Sequence, residues 1–462
     1  MVIFSGAEFA FRFFPVFLVV YYLTPRAYRD VILFLGSIFF YAAGEPRFVA
    51  VLLGLILFNW IAGQRIYARA AAGSPDRRRA RRALVSAVSV NVFVLILCKA
   101  LALTVSSAFL PLGMSFYIFR MISYAADLYR GKIAGRPGFL ETACYFSMFP
   151  QITQGPIMRY GEGGFGGAAD SEGRPLRQYS AARFEDGVIS FAMGACMKLL
   201  LADRLGILWN EIAKIGYDSI STPLAWMGAY GYSFQLYYDF WGYSLMAAGI
   251  GMMLGFPYIR NFHHPYACGS VSQFYRCWHM TLGAWFRDYV YFPLGGSRGS
   301  RAETVFSLMT VWLLTGLWHG GTLNFLLWGG ILGVIIVWEK LVLHSLMKKI
   351  PLIGRIHVLL LIPLTWVIFA VTDLHAMEVY FMRLFPFFGV EGNVNPGDAV
   401  KYLRSFWPLF AASIVLLFPA VSELAVRRRR SPAVFIPLAA LFWWAVYYMI
   451  NSSSNPFLYF SF

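Results

Sequence analysis

Residues 303–343 read ETVFSLMTVWLLTGLWHGGTLNFLLWGGILGVIIVWEKLVL. Two apolar runs, 303–319 and 322–343, meet at His319, Gly320 and Gly321. A helix rises about 1.5 Å per residue, so about 20 residues cross a hydrocarbon layer about 30 Å thick. Each run fits that length once tilt or trimming at its ends is allowed. The stretch therefore reads as two membrane helices meeting at a histidine and two glycines.

The rest of the chain agrees. Of its 462 residues 59% are apolar and only 13% charged, and the mean hydropathy is +0.59. A soluble globular protein carries about 25% charged residues, so a soluble fold this apolar could not cover its own core. Disorder, a disulfide scaffold and a coiled coil are excluded on the same composition. The fold class is an all-α polytopic membrane protein, a single membrane domain over 1–462.

Twelve spans follow from the apolar runs: 8–24, 30–44, 47–63, 83–103, 107–129, 184–208, 223–254, 303–319, 322–343, 355–371, 405–424 and 432–450. Two further stretches, 139–158 and 262–296, are interrupted by Pro, Gly and charge. They read as re-entrant or interfacial, which is tolerated where protein covers the backbone. The first run lacks a basic flank and a small-residue cleavage site, so it reads as a membrane helix and not a signal peptide. The domain then divides into 8–158, a Gly-rich cytoplasmic loop at 159–183, a core at 184–343 holding both Trp-His pairs, and 344–462.

The net charge of +16 comes from 39 basic and 23 acidic residues. No aromatic-interleaved basic domain exists outside the spans, so nucleic acid is not an expected partner. Basic residues stay on the cytoplasmic side of spans, and the alternation of loops puts 29 of the 39 on one face. Both termini are thereby expected outside the cytoplasm.

Several motifs fall away. GEGGFG (161–166) fits a dinucleotide fingerprint, but no strand precedes it and no helix opens at it. The five Cys (98, 144, 196, 268, 277) stand singly in apolar surroundings, with neither disulfide nor zinc spacing. His279 and His319 lie 40 residues apart with no third ligand at a recognisable spacing, so no metal is expected.

His319 and His279 remain. A polar side chain at membrane depth costs several kcal/mol unless satisfied, about 2–4 here, and marks a functional position. Gly320 and Gly321 beside His319 allow close approach of backbone or ligand. Read as one helix, Phe274, Trp278, Leu282 and Trp285 form an apolar stripe at an interface, with His279 at its border. Cys277 is two residues from His279 and would point away from it on such a helix, so no Cys–His nucleophile pair is expected. Lys198 and Asp203 could form a relay, but five residues apart they leave a single α-helical face. His263, His264, His344, His357 and His375 fall at span ends or in loops and receive no role.

Five segments carry a resemblance: PLGMSFYIFRMISYAADLYRG (111–131), FPQITQGPIMRY (149–160), YYDFWGYSLMAAGIGMMLGF (237–256), CWHMTLGAWFRDYVYFPLGGSR (277–298) and TGLWHGGTLNFLLWG (315–329). With the opening VIFSGAEFAFRFFP and the closing NPFLYFSF, they make the chain resemble the membrane-bound O-acyltransferase family in its bacterial branch. The likeness is to alginate O-acetylases first and to teichoic-acid D-alanyl transferases more distantly. It implies a ring of tilted helices with a central tunnel between a cytoplasmic acyl donor and an extracytoplasmic acceptor hydroxyl. It implies His319 and His279 as catalytic residues, with Trp278, Arg276, Arg287, Asp288, Trp318 and Asp239 as substrate-binding ones. The departures, Trp241, Leu245 and Cys277, bear on donor or acceptor identity more than on reaction type.

The function expected is transfer of an acyl group, acetyl from acetyl-CoA in the first instance, across the bacterial inner membrane to a secreted exopolysaccharide such as alginate. The resemblance implies relay through an extracytoplasmic partner of SGNH, serine-esterase-like fold, beside polysaccharide export machinery. Acetyl-CoA is a co-substrate, no bound cofactor or metal is expected, and membrane lipid surrounds the chain. Arg276, Arg287, Arg298 and Arg301 could hold a CoA phosphate, although charge retention explains them equally. The alternatives are D-alanyl transfer from a carrier protein, and a transporter. The last would call for repeated halves with paired broken helices, and no such repeat is seen.

Overall fold

The computed structural model describes residues 6–70, 76–385, 387 and 394–451. The last eight residues, NPFLYFSF, and both termini lie outside that range, and with them the expected placement of the ends. Among the described residues the structure is helical, apart from one isolated antiparallel bridge between Ala169 and Pro175. Eight helical runs among the described residues are long and apolar enough to cross a membrane, the longest being Arg77–Thr104. Val85, Phe93, Ile96, Val334 and Ile436 stand exposed on such helices. Surface of that kind is solvated by lipid and not by water. The chain is a multi-pass membrane protein.

Several expected boundaries shift for identifiable reasons. The first run is a short helical piece, Phe9–Leu23, that opens with a π-turn. The run 405–424 is two helices, Asp398–Leu417 and Pro419–Arg427. Pro419 has no N–H to donate and holds Phe418 extended (φ −72°, ψ 119°), which ends the first helix. The run 184–208 is built from Ala181–Cys196, a π-helical Met197–Ala202 and Asp203–Ile215. Leu374–Leu384 is a helix to which no span was assigned.

The chain groups into two compact units, Met1–Phe191 with Tyr243–Arg260, and Ala192–Gly242 with Asn261–Phe462. In the first, Phe149 meets Phe13 and Phe17 edge-on at 5.5 and 5.0 Å. The interrupted stretch 139–158 forms two short helices, Phe139–Ser147 and Phe149–Ile152, within this unit. Cys144, Tyr145, Phe146, Phe149 and Ile152 are fully buried. Non-helical backbone persists at such depth because protein groups satisfy it. The Phe149 amide donates to Ser37 Oγ at 3.1 Å, and Arg120 donates to the Tyr145 carbonyl at 2.7 Å. Gly113 (φ +67°) lies so close to this stretch that a Cβ there would sit 1.9 Å from the Ile152 oxygen.

In the second unit the π-helical turn corrects one expectation. Lys198 Nζ lies 2.6 Å from Asp203 Oδ1 and 2.7 Å from Asp239 Oδ1. A π-helix bonds residue i to i+5, and the Asp203 amide does donate to the Lys198 carbonyl. The five-residue spacing therefore brings Lys198 and Asp203 together where an α-helix would separate them.

Candidate active site

Both histidines belong to the second unit. His319 is the last residue of the helix Arg301–His319, which opens on a capping box between Ser300 and Glu303. This helix packs against Leu323–Trp338 through glycine. A Cβ on Gly316 would meet the Phe325 oxygen at 2.4 Å, one on Gly329 the Trp312 oxygen at 2.5 Å, and one on Gly333 the Met309 sulfur at 2.9 Å. Small residues let two membrane helices approach at backbone distance, and here they fix where the first helix delivers His319.

The half-buried His319 ring has aromatic neighbours. Trp318, Trp328 and Phe369 lie 4.7, 5.0 and 5.1 Å away between ring centroids. Asn324, fully buried, anchors this wall by donating to the Ile368 and Phe369 carbonyls at 3.3 and 3.0 Å.

His279 departs from the expected continuous helix. The chain breaks into Val271–Cys277 and Met280–Phe286, with Trp278 extended and His279 left-handed (φ 44°, ψ 54°). Only 3% of His279 is exposed, so it is a core residue and not an interfacial one. A left-handed non-glycine residue persists only where its surroundings hold it, and Asn261 does so. The Asn261 carbonyl accepts the Met280 amide at 2.9 Å. Its side-chain Oδ1 accepts the Thr281 amide at 3.3 Å and the Thr281 hydroxyl at 2.9 Å, and lies 3.1 Å from His279 Nδ1.

That arrangement fixes the imidazole tautomer. A backbone N–H can only donate, so the Asn261 atom facing Thr281 is the oxygen. The same oxygen faces His279 Nδ1, which must therefore carry the proton. Nε2 is left with a bare lone pair, buried and without a hydrogen-bond partner among the described residues. An acceptor nitrogen held in place in this way can take a hydrogen bond from an N–H or O–H donor brought against it.

Tryptophans join the two histidines. The Trp318 ring lies 6.2 Å from His279 and 4.7 Å from His319. A second path runs from Trp278 to Trp366 at 5.1 Å, on to Trp328 at 5.7 Å, and then to His319 at 5.0 Å. Phe240 closes the far side of His279, edge-on at 4.6 Å.

The other expected site residues divide. Trp278 and Trp318 stand in the aromatic wall. Asp239 is buried and paired with Lys198. Asp288 accepts from Arg287 Nε and Nη2 at 2.7 and 3.2 Å, and Arg276 and Arg287 are exposed.

Sequence reasoning missed Asn261 and Glu339. The buried Glu339 carboxylate accepts the Val271 and Ser272 amides at 2.6 and 2.8 Å, and His357 Nε2 lies 3.2 Å from it. It thereby caps the helix leading to Trp278, as an anion at a helix N-terminus does. An ionisable residue inside an apolar run signals function by default, so Glu339 carried a visible flag. An asparagine after an arginine carries none.

Residues 130–372 match the family described as MBOAT, membrane-bound O-acyltransferase family. The chain is 33% identical over 403 residues to "Probable alginate O-acetylase AlgI" of Pseudomonas syringae pv. tomato, covering 83% of this chain and 75% of that protein. The protein of the same name from Azotobacter vinelandii is 33% identical over 444 residues, covering 92% and 85%. "Peptidoglycan O-acetyltransferase" of Helicobacter pylori is 28% identical over 426 residues, covering 81% and 78%. On these matches this chain belongs to the membrane-bound O-acyltransferase family and is an O-acyltransferase of the membrane.

Proposed function

We propose that the protein transfers acetyl from cytoplasmic acetyl-CoA for O-acetylation of a secreted polysaccharide, alginate being the first candidate. It would act in the bacterial inner membrane and hand the group on through an extracytoplasmic partner of SGNH, serine-esterase-like fold, beside the export machinery. The names of its relatives support acetyl and a cell-envelope polysaccharide, because they span most of this chain at 28–33% identity. The single observation that carries the chemistry is that one aromatic wall touches both histidines, with Trp318 between them.

In this reading the acceptor hydroxyl approaches His319, which the end of its helix leaves half-exposed beside Gly320 and Gly321. The hydroxyl oxygen attacks the thioester carbonyl carbon while its proton passes to His319. The carbon–sulfur bond breaks, and the departing CoA thiolate takes up that proton. The products are an O-acetyl ester and free CoA. With Nδ1–H committed to Asn261, His279 can accept a hydrogen bond at Nε2 but cannot polarise a carbonyl by donating one. Its role is to hold an N–H of the donor arm, such as a pantetheine amide.

The test supplies purified protein with radiolabelled acetyl-CoA and either alginate or an extracytoplasmic acetyltransferase of that fold. Label in a base-labile ester, with stoichiometric free CoA, supports the reading. Label appearing only from a D-alanyl carrier protein would replace it with D-alanyl transfer.

A further inference from the structure

Outside the aromatic wall, the second unit holds His263, His264 and Glu423, whose ligand atoms all lie within 4.8 Å of one another. Among the described residues they are the one group of three with that spacing. We propose that these residues bind a divalent transition metal, zinc best matching the donor set, and that the metal clamps the loop 261–264 onto the helix Pro419–Arg427.

Geometry brings the three together from distant parts of the sequence. Adjacent side chains on an extended chain diverge, but His264 is left-handed (φ 49°) and turns the chain back. The two rings consequently lie 5.2 Å apart between centroids. Ser422, next to Glu423, places its hydroxyl 3.4 Å from His264 Nδ1, which seats the helix against the loop. The His263 amide donates to the Cys277 carbonyl at 2.9 Å and ties the pair to the break before His279.

The donor chemistry selects the ion. Two imidazoles and one carboxylate suit zinc and its first-row neighbours, whereas calcium and magnesium take oxygen ligands. Zinc bonds of about 2.0–2.2 Å require the ligand atoms to close in by side-chain rotation alone. His263 and Glu423 are exposed, so those rotations are open to them and a water can complete the tetrahedron. Arg427 lies 3.7 Å from Glu423 across an exposed helical turn, a contact weak enough for a divalent ion to displace.

The site stands apart from the acyl-transfer reading, and its test uses no turnover. Full-length protein without a polyhistidine tag, purified in detergent and stripped with chelator, is titrated with Co²⁺ and then with Zn²⁺. Stoichiometric visible absorption of tetrahedral cobalt, abolished by zinc but not by magnesium, is expected. His263→Ala and the milder Glu423→Gln should each weaken binding by at least about tenfold. Hydrogen exchange in 261–268 and 419–427 should slow on adding zinc. The proposal is overturned if stripped protein binds no cobalt, or if Glu423→Gln binds it as tightly as the parent. Binding without any change in exchange would overturn the clamp.

Discussion

Asn261 Oδ1 lies 3.1 Å from His279 Nδ1 and accepts the Thr281 amide through the same oxygen. One acceptor atom therefore holds the first turn of the helix Met280–Phe286 and sets which imidazole nitrogen carries the proton. The N-cap of that helix is His279 itself, and its side chain makes no cap bond. Because Asn261 supplies the capping from outside, the histidine is released from that duty.

Replacing Asn261 with Leu should remove the anchor of His279 Nδ1 and lower turnover as far as His279→Ala does. Asn261→Asp keeps an acceptor at the same place and should retain more turnover than the Leu variant. The double variant Asn261→Leu/His279→Ala should be no slower than His279→Ala alone, since residues acting as one unit are not additive. Independent, multiplying losses in that cycle would show that Asn261 does not act through His279.

Lys198, Asp203 and Asp239 form a buried charged cluster, with Lys198 and Asp239 almost wholly covered. Removing one partner of a buried pair leaves an uncompensated charge and costs about 3–5 kcal/mol. Lys198→Met should therefore lower the melting temperature and the folded yield in detergent. Asp239→Asn, which keeps hydrogen-bonding capacity, should cost less and leave the KM for donor unchanged. A large rise in that KM without loss of stability would support Asp239 as a substrate-binding residue.

What the sequence made legible follows from periodicity and composition. Apolar runs of membrane length announce themselves, and the runs 83–103, 355–371 and 432–450 reappear as Arg77–Thr104, Pro351–Ala370 and Pro432–Asn451. His319 was visible because it ends such a run. The register of Lys198 with Asp203 was not, since a π-turn changes which spacings share a face and propensity does not announce one. The break at Trp278 and His279 was equally hidden. The stripe from Phe274 to Trp285 has helical spacing, but Asn261 and Glu339 cap the two short helices from distant positions and override it.

Catalysis should require no covalent enzyme intermediate. Cys144 and Cys268 are buried, and their thiols face the carbonyls of Asp30 and His264 at 3.0 and 3.8 Å. Cys277 does not share a helix with His279, yet neither ring nitrogen bonds its thiol, because Nδ1 faces Asn261 and Nε2 has no hydrogen-bond partner among the described residues. A variant with all five cysteines replaced by Ala or Ser should keep substantial acetyl transfer. Radiolabelled acetyl recovered on the denatured protein, and lost from that variant, would establish an acyl-enzyme instead.

The sharpest division is between the two histidines. A hydroxyl is a poor nucleophile at neutral pH, and a positioned imidazole that takes its proton contributes about 10²–10⁴-fold. His319 sits where the helix ends and its neighbour Gly321 is exposed, so an acceptor can reach it. His279 is almost wholly covered, and Asn261 dictates its tautomer. His319→Ala should therefore abolish transfer, with kcat falling by at least about a hundredfold while abundance, membrane insertion and donor KM stay near the parent values. His279→Ala should lower kcat strongly and also raise the donor KM, because it removes an acceptor that orients the donor arm. His319→Gln should fail to rescue, since an amide fills the space but takes up no proton. If His319→Ala keeps more than about a tenth of parental turnover, the loss is smaller than removal of a general base produces. The proton would then pass to the bare Nε2 of His279, and the roles of the two residues would be exchanged.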